Sequence, residues 1–400
     1  MSSGFRPTRA SLLLILAASM LTLMGGAAVA PALPLISEAF PRASDTDISL
    51  IITLPSLAIA LTGFAIGHLA DKYGKVKVLI LSLAIFTVAG SSGYYLGTVQ
   101  SILAGRFVLG MGIAGMSAAS TALVAAYYTG VSRTRVISYQ SAAIGLGVLV
   151  LETSGGGLAT FGWREPFLIY LIGAVILVGV VLTLKEPARE DRAEAQEKEG
   201  GAGAVGKVIA LSYLTVFLMM FMGFLLPTKL PYYLSEMGAS ALVSGLMLGW
   251  HGICNAGTCF MYRRIASRCG RSAILTFSFL LMGIGFGMLY FTGSYLVVFV
   301  SVALVGAGMG MIMPAMINWL ATTATSRNSG KIMGGFYVAN NIGQFSCSIL
   351  AAPILLYVVS YSNLFLAIGL LAFAACALCL FATMVSRKNA DDPVGGSCHL

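Results

Sequence analysis

Twelve apolar runs separated by polar stretches dominate the chain, at approximately 11–33, 49–70, 78–97, 101–127, 136–159, 166–184, 208–228, 241–262, 272–291, 295–319, 332–357 and 363–385. Each is close to the roughly 20 largely apolar residues that an α-helix needs to cross the hydrocarbon core of a bilayer. The runs are continuous and rich in Leu, Ala, Gly and Met, whereas strands of a membrane barrel would alternate apolar and polar residues over about ten positions. With 58% hydrophobic and only 10% charged residues in 400, the chain has too little polar surface for an ordinary soluble globule. The expected fold class is an all-α membrane protein with twelve transmembrane helices. Twelve is even, so both chain ends fall on one side.

The basic residues say which side. Twenty of the 24 Lys and Arg residues fall at the N-terminus, in the alternate loops that share its side, and in the C-terminal tail. Only Arg42, Arg164 and Lys229 fall in the opposite loops, and Arg106 lies inside a helix. Loops kept in the cytoplasm hold such an excess, so the chain is expected to be a multi-pass protein of the inner (cytoplasmic) membrane with both termini cytoplasmic. The net charge of +9 is then topological and does not call for nucleic acid. Arg6 and Arg9 before an apolar stretch ending in Ala-Val-Ala imitate a signal peptide, but that run is longer than the usual 7–15 residues of a signal core. The seven cysteines all lie in the second half and read as small apolar packers; Cys376-Ala-Leu-Cys379 has redox spacing inside an apolar helix, where neither a redox nor a metal role is expected.

Between the sixth and seventh runs, Lys185 to Gly206 carries 10 charged residues in 22 and ends in glycines and alanines. This divides the chain into an N-terminal six-helix bundle (1–184), a charged cytoplasmic linker (185–207) and a C-terminal six-helix bundle (208–400). The halves also repeat. Gly110-Met111-Gly112 recurs as Gly308-Met309-Gly310 and Gly145 as Gly343, both at an offset of 198; Asp71-Lys72-Tyr73-Gly74-Lys75 aligns with Ser267-Arg268-Cys269-Gly270-Arg271 at 196, and Leu33-Pro34 with Leu230-Pro231 at 197. A six-plus-six duplication is how many secondary transporters are built, with the substrate site between the halves near mid-membrane.

Three motifs carry a family resemblance. Gly67-His68-Leu69-Ala70-Asp71-Lys72-Tyr73-Gly74-Lys75 resembles the helix 2–3 loop signature G-x-L-A-D-R/K-x-G-R/K of the major facilitator superfamily. Leu103 to Gly110, with Arg106 four residues before Gly110, is similar to that superfamily's helix 4 motif, and Phe161-Gly162-Trp163-Arg164 with Phe167 resembles its outer turn before helix 6. Size and helix count look most like the twelve-helix drug:proton antiporter branch. The resemblance implies two pseudo-symmetric six-helix bundles around a central cavity, and proton-coupled efflux (antiport) of small amphipathic drugs or metabolites by alternating access, driven by the proton gradient with no cofactor. One departure stands out. If Gly155-Gly156 are the Gly-Gly pair of the antiporter helix 5 motif, its Gly-Pro positions hold Leu151-Glu152, so an acid replaces the proline.

Physically, Gly67 and Gly74 allow a tight turn and close helix approach. Asp71 is placed to meet a helix N-terminus or a cytoplasmic arginine, Arg133 or Arg135, and so to latch one access state. Lys72 and Lys75 belong to the same loop and also anchor topology. The second-half copy, with Ser267 for the acid and Arg263 for the first glycine, should latch less well.

Of 15 acidic residues, only Glu152 falls inside an apolar run. An ionisable group there costs on the order of 3 kcal/mol on insertion scales and usually marks an ion path or proton relay. At about 1.5 Å rise per residue, Arg106 and Glu152 lie roughly 8 Å and 10 Å below the outer ends of neighbouring helices, so an ion pair between them is expected, either permanent or cycling with protonation. Gly155, Gly156 and Gly157 beside it form a candidate helix 5 hinge.

His251 and Asn255 share a face of helix 8; with Asn318, Asn340, Asn341 and Gln344 they are read as a mildly polar cavity wall in the second half. Arg106 is the only embedded cation in this reading, which disfavours phosphate or dicarboxylate substrates. An enzyme is not expected, because His68, His251 and His399 have no ligand-like spacing with carboxylates. The expected partners are a small molecule, protons and lipid, with the chain acting as a monomer. The alternative function is a proton-coupled importer or facilitator of a small organic solute.

Overall fold

A computed structural model describes residues 7–22, 24–187, 202–291, 293–323, 328–358 and 360–391; most of the expected linker lies outside them. The first span begins as α1 (Arg9–Leu21), whose N-cap Thr8 accepts from the Ser11 N–H. It then breaks into short helical pieces at Met24–Ala27, Ala30–Ala32 and Leu33–Ala39, bent by 54°. Gly25, Gly26, Pro31 and Pro34 account for the break, since glycine and proline are the usual causes of sharp kinks. α2 (Asp45–Tyr73) opens with a capping box between Ser44 and Asp47 and stops at Gly74, whose φ of +114° suits glycine. There follow α3 (Lys75–Tyr95), α4 (Val99–Tyr127), α5 (Gly130–Ala159) and α6 (Ile172–Thr183), the last entered through a 3-10 turn at Glu165–Leu171. The second half comprises α7 (Ala202–Gly223), α8 (Ala241–Ala266), α9 (Arg271–Met288), α10 (Tyr295–Thr323), α11 (Ser329–Val358) and α12 (Tyr361–Asp391).

Among the described residues ten helices are long and apolar enough to cross a membrane, and the bent first pair makes an eleventh. α8 falls short of that measure, because His251 and Asn255 lower its hydropathy, and it stands where the twelfth span is expected. The seventh span runs further than expected. After α7 the chain resumes as Leu225–Glu236, so Lys229 is helical and not in a loop.

Within the first half α4 packs on α2 and α3, and α1 on α5; within the second, α10 packs on α8 and α9, and α12 on α9. The halves meet along two seams, α5 with α8 and α2 with α11. Because α8 and α11 are the second-half mates of α2 and α5, the seams are one pairing repeated about a pseudo-two-fold axis.

Packing also corrects the repeat register. Gly110 is pressed on Pro55 of α2 and Gly112 on Phe86 of α3; the second-half glycines in those roles are Gly306, against His251 of α8, and Gly308, against Ser278 of α9. Likewise Gly147 faces Met20 of α1 as Gly343 faces Phe217 of α7. The offset is therefore 196, as in the loop. Gly306, Gly308 and Gly310 form overlapping Gly-x-Gly pairs, which is why the sequence match slips by two.

We call the end carrying the α2–α3 and α8–α9 turns, with Lys72, Lys75, Lys77, Arg263, Arg264, Arg268 and Arg271, the basic end, and the opposite one the far end. The seams are made toward the far end, where Thr53 and Ser56 meet Ser348 and Gln344 and Gly156 meets Ala241. Toward the basic end, Gly63 and Gly67 of α2, Gly257 of α8 and Gly330 and Gly334 of α11 have open space where a Cβ would stand. The halves are joined at the far end and separate toward the basic end.

Candidate functional site

Arg106 is 1% exposed in the middle of an apolar helix. Its Nη1 donates to the Tyr170 hydroxyl at 2.8 Å and to the Gly25 carbonyl oxygen at 3.5 Å, an acceptor supplied by the break after α1. The guanidinium also lies 4.7 Å from the Phe167 ring centre and 5.0 Å from that of Tyr170, within the range of cation–π attraction. Both rings reach it because α3 presents Gly93 and Gly90 beneath them, where added Cβ atoms would stand 2.0 and 2.5 Å from ring carbons. Nε and Nη2 remain buried without a partner.

Glu152 is 6% exposed on α5, and its Oε2 is buried with no hydrogen-bond partner. The expected ion pair is not formed in this structure: among the described residues the one carboxylate–ammonium or carboxylate–guanidinium contact within 4 Å joins Lys229 and Asp45. The two residues are held by different elements. Arg106 turns into the first half toward the 3-10 turn before α6 and the α1 break, while Glu152 stands on the stretch of α5 that crosses α8. There the Glu152 carbonyl oxygen is 2.5 Å from where a Cβ on Gly245 would be.

Of the candidate hinge glycines, Gly155 would place a Cβ 1.9 Å from the Ala28 carbonyl oxygen and Gly156 one 2.5 Å from that of Ala241; Gly157 meets only an ordinary contact with Leu242. The first two are needed for close backbone approach. α8 answers with Gly245, Gly249 and Gly252, the last two against Leu149 and Val148.

In the expected latch, Gly67 has open space, the Lys72 ammonium is 5.2 Å from the Tyr73 ring centre, and Arg133 and Arg135 are exposed; the Asp71 side chain lies outside those described. The contact that does form there is one the sequence reading missed. The Lys75 and Val76 N–H groups donate to the Glu186 carboxylate at 2.5 and 2.9 Å, so the segment after α6 caps the N-terminus of α3. Glu186 could have been found as the first acid beyond an apolar run ending on the same side as that turn.

The polar residues of the second half are distributed and do not make one wall. His251 and Asn255 pack by their backbones on Gly306 and Gly310 of α10, and the His251 Nε2 is buried unpartnered. Asn341 donates back to the Tyr337 carbonyl at 2.8 Å, Asn340 Oδ1 is buried unpartnered, and Asn318 is exposed. Gln344 joins the seam: its Oε1 accepts from the Ser56 hydroxyl at 2.7 Å. Beside the other seam, Leu149, Trp250 and Phe299 line an apolar groove of about 390 Å³. Nor is Arg106 the only embedded cation, because the Lys229 side chain is 0% exposed. Its flanking prolines, Pro227 and Pro231, disguised that helix as a loop.

Comparison with known proteins agrees with this architecture. The bacterial homolog of the human lysosomal transporter Spinster, in its inward-facing and occupied conformation, shares the fold with a TM-score of 0.79 at 15% identity, over 98% of this chain and 100% of that one. A D-xylose-proton symporter does so at 0.75 and 16% identity, over 92% and 96%. The Quinolone resistance protein NorB of Staphylococcus aureus (strain JH9) is 28% identical over 190 residues, 46% of this chain and 40% of that protein, so the match spans well under half of that relative. A sequence profile of the Major Facilitator Superfamily matches residues 15–249 and 209–396, reaching from the first helix to the twelfth, and the chain belongs to that superfamily.

Proposed function

We propose that this transporter exports small amphipathic compounds in exchange for protons, by alternating access between two six-helix bundles joined through the 185–207 linker. The observation that carries the reading is Glu152, a buried carboxyl with an unpartnered oxygen on the helix where the halves cross. A carboxyl there can exchange its proton only when water or a charged partner reaches it. A site whose protonation follows access is what coupling requires. Arg106, with two guanidinium nitrogens unpartnered, is the cation that can approach it in another state.

The excess of Lys and Arg at the basic end supports a cytoplasmic setting for that end and for both termini. The far end, closed in this structure, then faces outward, and the state described is the one in which an exporter loads. Likeness to NorB, named for quinolone resistance, supports an amphipathic substrate. A second reading, proton-coupled import, is favoured by the likeness in fold to a D-xylose-proton symporter. Growth inhibition by a compound panel in an efflux-deficient host tests export: resistance to quinolones or other amphipathic compounds is expected, and sensitisation would favour import. Counterflow in inverted vesicles separates the two directions independently.

A further inference from the structure

The two seams between the halves differ in chemistry. The α5–α8 seam is made by glycines and backbone. The α2 seam is a stripe of polar side chains at Asp45, Ser49, Thr53 and Ser56, spaced four, four and three residues apart and hence on one helix face. Every one of them engages the second half. Asp45 pairs with Lys229, whose Nζ also donates to the Ser49 hydroxyl at 3.0 Å; Thr53 and Ser348 share a hydrogen bond at 2.6 Å, and Ser56 donates to Gln344 at 2.7 Å. The Lys229 ammonium lies 5.8 Å from the Tyr232 ring centre, and the Tyr232 hydroxyl donates to the Leu33 carbonyl at 3.3 Å.

From this arrangement we infer that the Lys229–Asp45 pair is the far-end gate, the contact whose breaking opens the cavity on that side. The hydroxyl and amide bonds of the stripe can be exchanged for water at small net cost. Lys229 cannot, while it stays buried: removing the partner of a buried ion is strongly destabilising because it leaves an uncompensated charge. Among the described residues Asp45 is its one carboxylate, and Asp45 is itself 33% exposed, so water enters from the Asp45 side. When α2 leaves the Leu225–Glu236 helix, Lys229 must be hydrated at once. The pair therefore holds the far end shut until water can reach both members, and it sets the balance between the two access states. The inference rests on alternating access, and not on the role of Glu152 or on the substrate.

Cys347 is the reporter. It is 0% exposed, and its thiol is 3.4 Å from the Thr228 hydroxyl beside the gate. Maleimide labelling of the full-length protein in proteoliposomes, read cysteine by cysteine by mass spectrometry, needs no transport assay. Asp45→Asn and Lys229→Met should each speed labelling of Cys347 by about tenfold or more, a shift of about 1.4 kcal/mol between states. The exchanged pair, Asp45→Lys with Lys229→Asp, should restore slow labelling. Cys376, buried on α12, should stay slow throughout. Unchanged labelling of Cys347 in both single variants would overturn the gate, and so would Cys347 and Cys376 rising together, which would make the pair a stabiliser of the fold. Failure of export or of proton coupling would leave these labelling rates untouched.

Discussion

Gly245 of α8 lies directly against the main-chain carbonyl oxygen of Glu152 on α5, at a distance that leaves no room for even a methyl group. The helix crossing that closes the far end is thus made at the residue that carries the buried carboxyl. A shift of the α5 backbone at Glu152 is therefore met directly by α8 of the opposite half.

Gly245→Ala tests that contact. The added Cβ would meet the Glu152 oxygen at 2.5 Å and the Gly156 Cα at 3.2 Å, both backbone, so the helices must part. Overpacking of this kind typically costs about 1–3 kcal/mol. The expected result is a lower melting temperature in detergent and faster labelling of Cys347. Gly157→Ala, whose nearest contact is an ordinary 3.9 Å, should change neither.

Tyr170→Phe keeps the ring beside Arg106 and removes the hydroxyl that accepts from Nη1 at 2.8 Å. A hydrogen bond to a charged group is worth about 1.5–3 kcal/mol, and the Gly25 carbonyl at 3.5 Å is a weak replacement. The variant should therefore melt lower by that order, with Arg106→Lys at least as damaging because an ammonium cannot keep the planar stacking. A Tyr170→Phe protein with wild-type stability would show that the rings alone hold the cation.

At the basic end, Glu186→Ala should release the cap of α3 at a cost of about 1 kcal/mol, in the range of other helix caps. Gly74→Ala should cost more, since it adds a Cβ at φ +114° and 2.8 Å from the Glu186 carboxyl carbon. The double variant relieves the clash but not the backbone strain, so it should not recover the stability of Glu186→Ala. Hydrogen exchange at the Lys75 and Val76 amides, compared across the three, reads the release directly.

Much of this was legible in the sequence because a bilayer imposes length and polarity on every span. The twelve runs, the duplication and the isolation of Arg106 and Glu152 follow from counting. Rise per residue put those two side chains level, yet it carries no information on azimuth, and Arg106 faces Tyr170 while α5 turns Glu152's backbone to Gly245. Lys229 was lost to the two prolines around it, which mark a loop in most contexts but here sit in a helix that resumes after a break at Phe224. Glu186 was visible as a charge, but its partners are backbone groups at the start of α3, more than a hundred residues earlier, and backbone N–H groups leave no trace in composition.

Glu152→Gln is the sharpest test of function. Glutamine keeps the size and the hydrogen-bonding capacity of the neutral acid and cannot lose a proton, so it fixes the site in one of the two forms that coupling requires. Packing is unchanged, and because Oε2 has no partner to lose, stability should stay within about 0.5 kcal/mol of wild type, as for substitutions that break no contact. In proteoliposomes with an imposed pH gradient the variant should fail to move substrate uphill, while substrate exchange across the same membrane persists. Arg106→Ala should also impair uphill transport, and more so protein yield, since it vacates the space between Phe167 and Tyr170. If the two side chains act on one another in a state other than this one, the double variant should be no worse in coupling than the more damaging single variant; additive losses would mean that they act separately. Uphill accumulation by Glu152→Gln at the wild-type rate would remove the carboxyl from the coupling mechanism and leave it a consequence of the α5–α8 crossing.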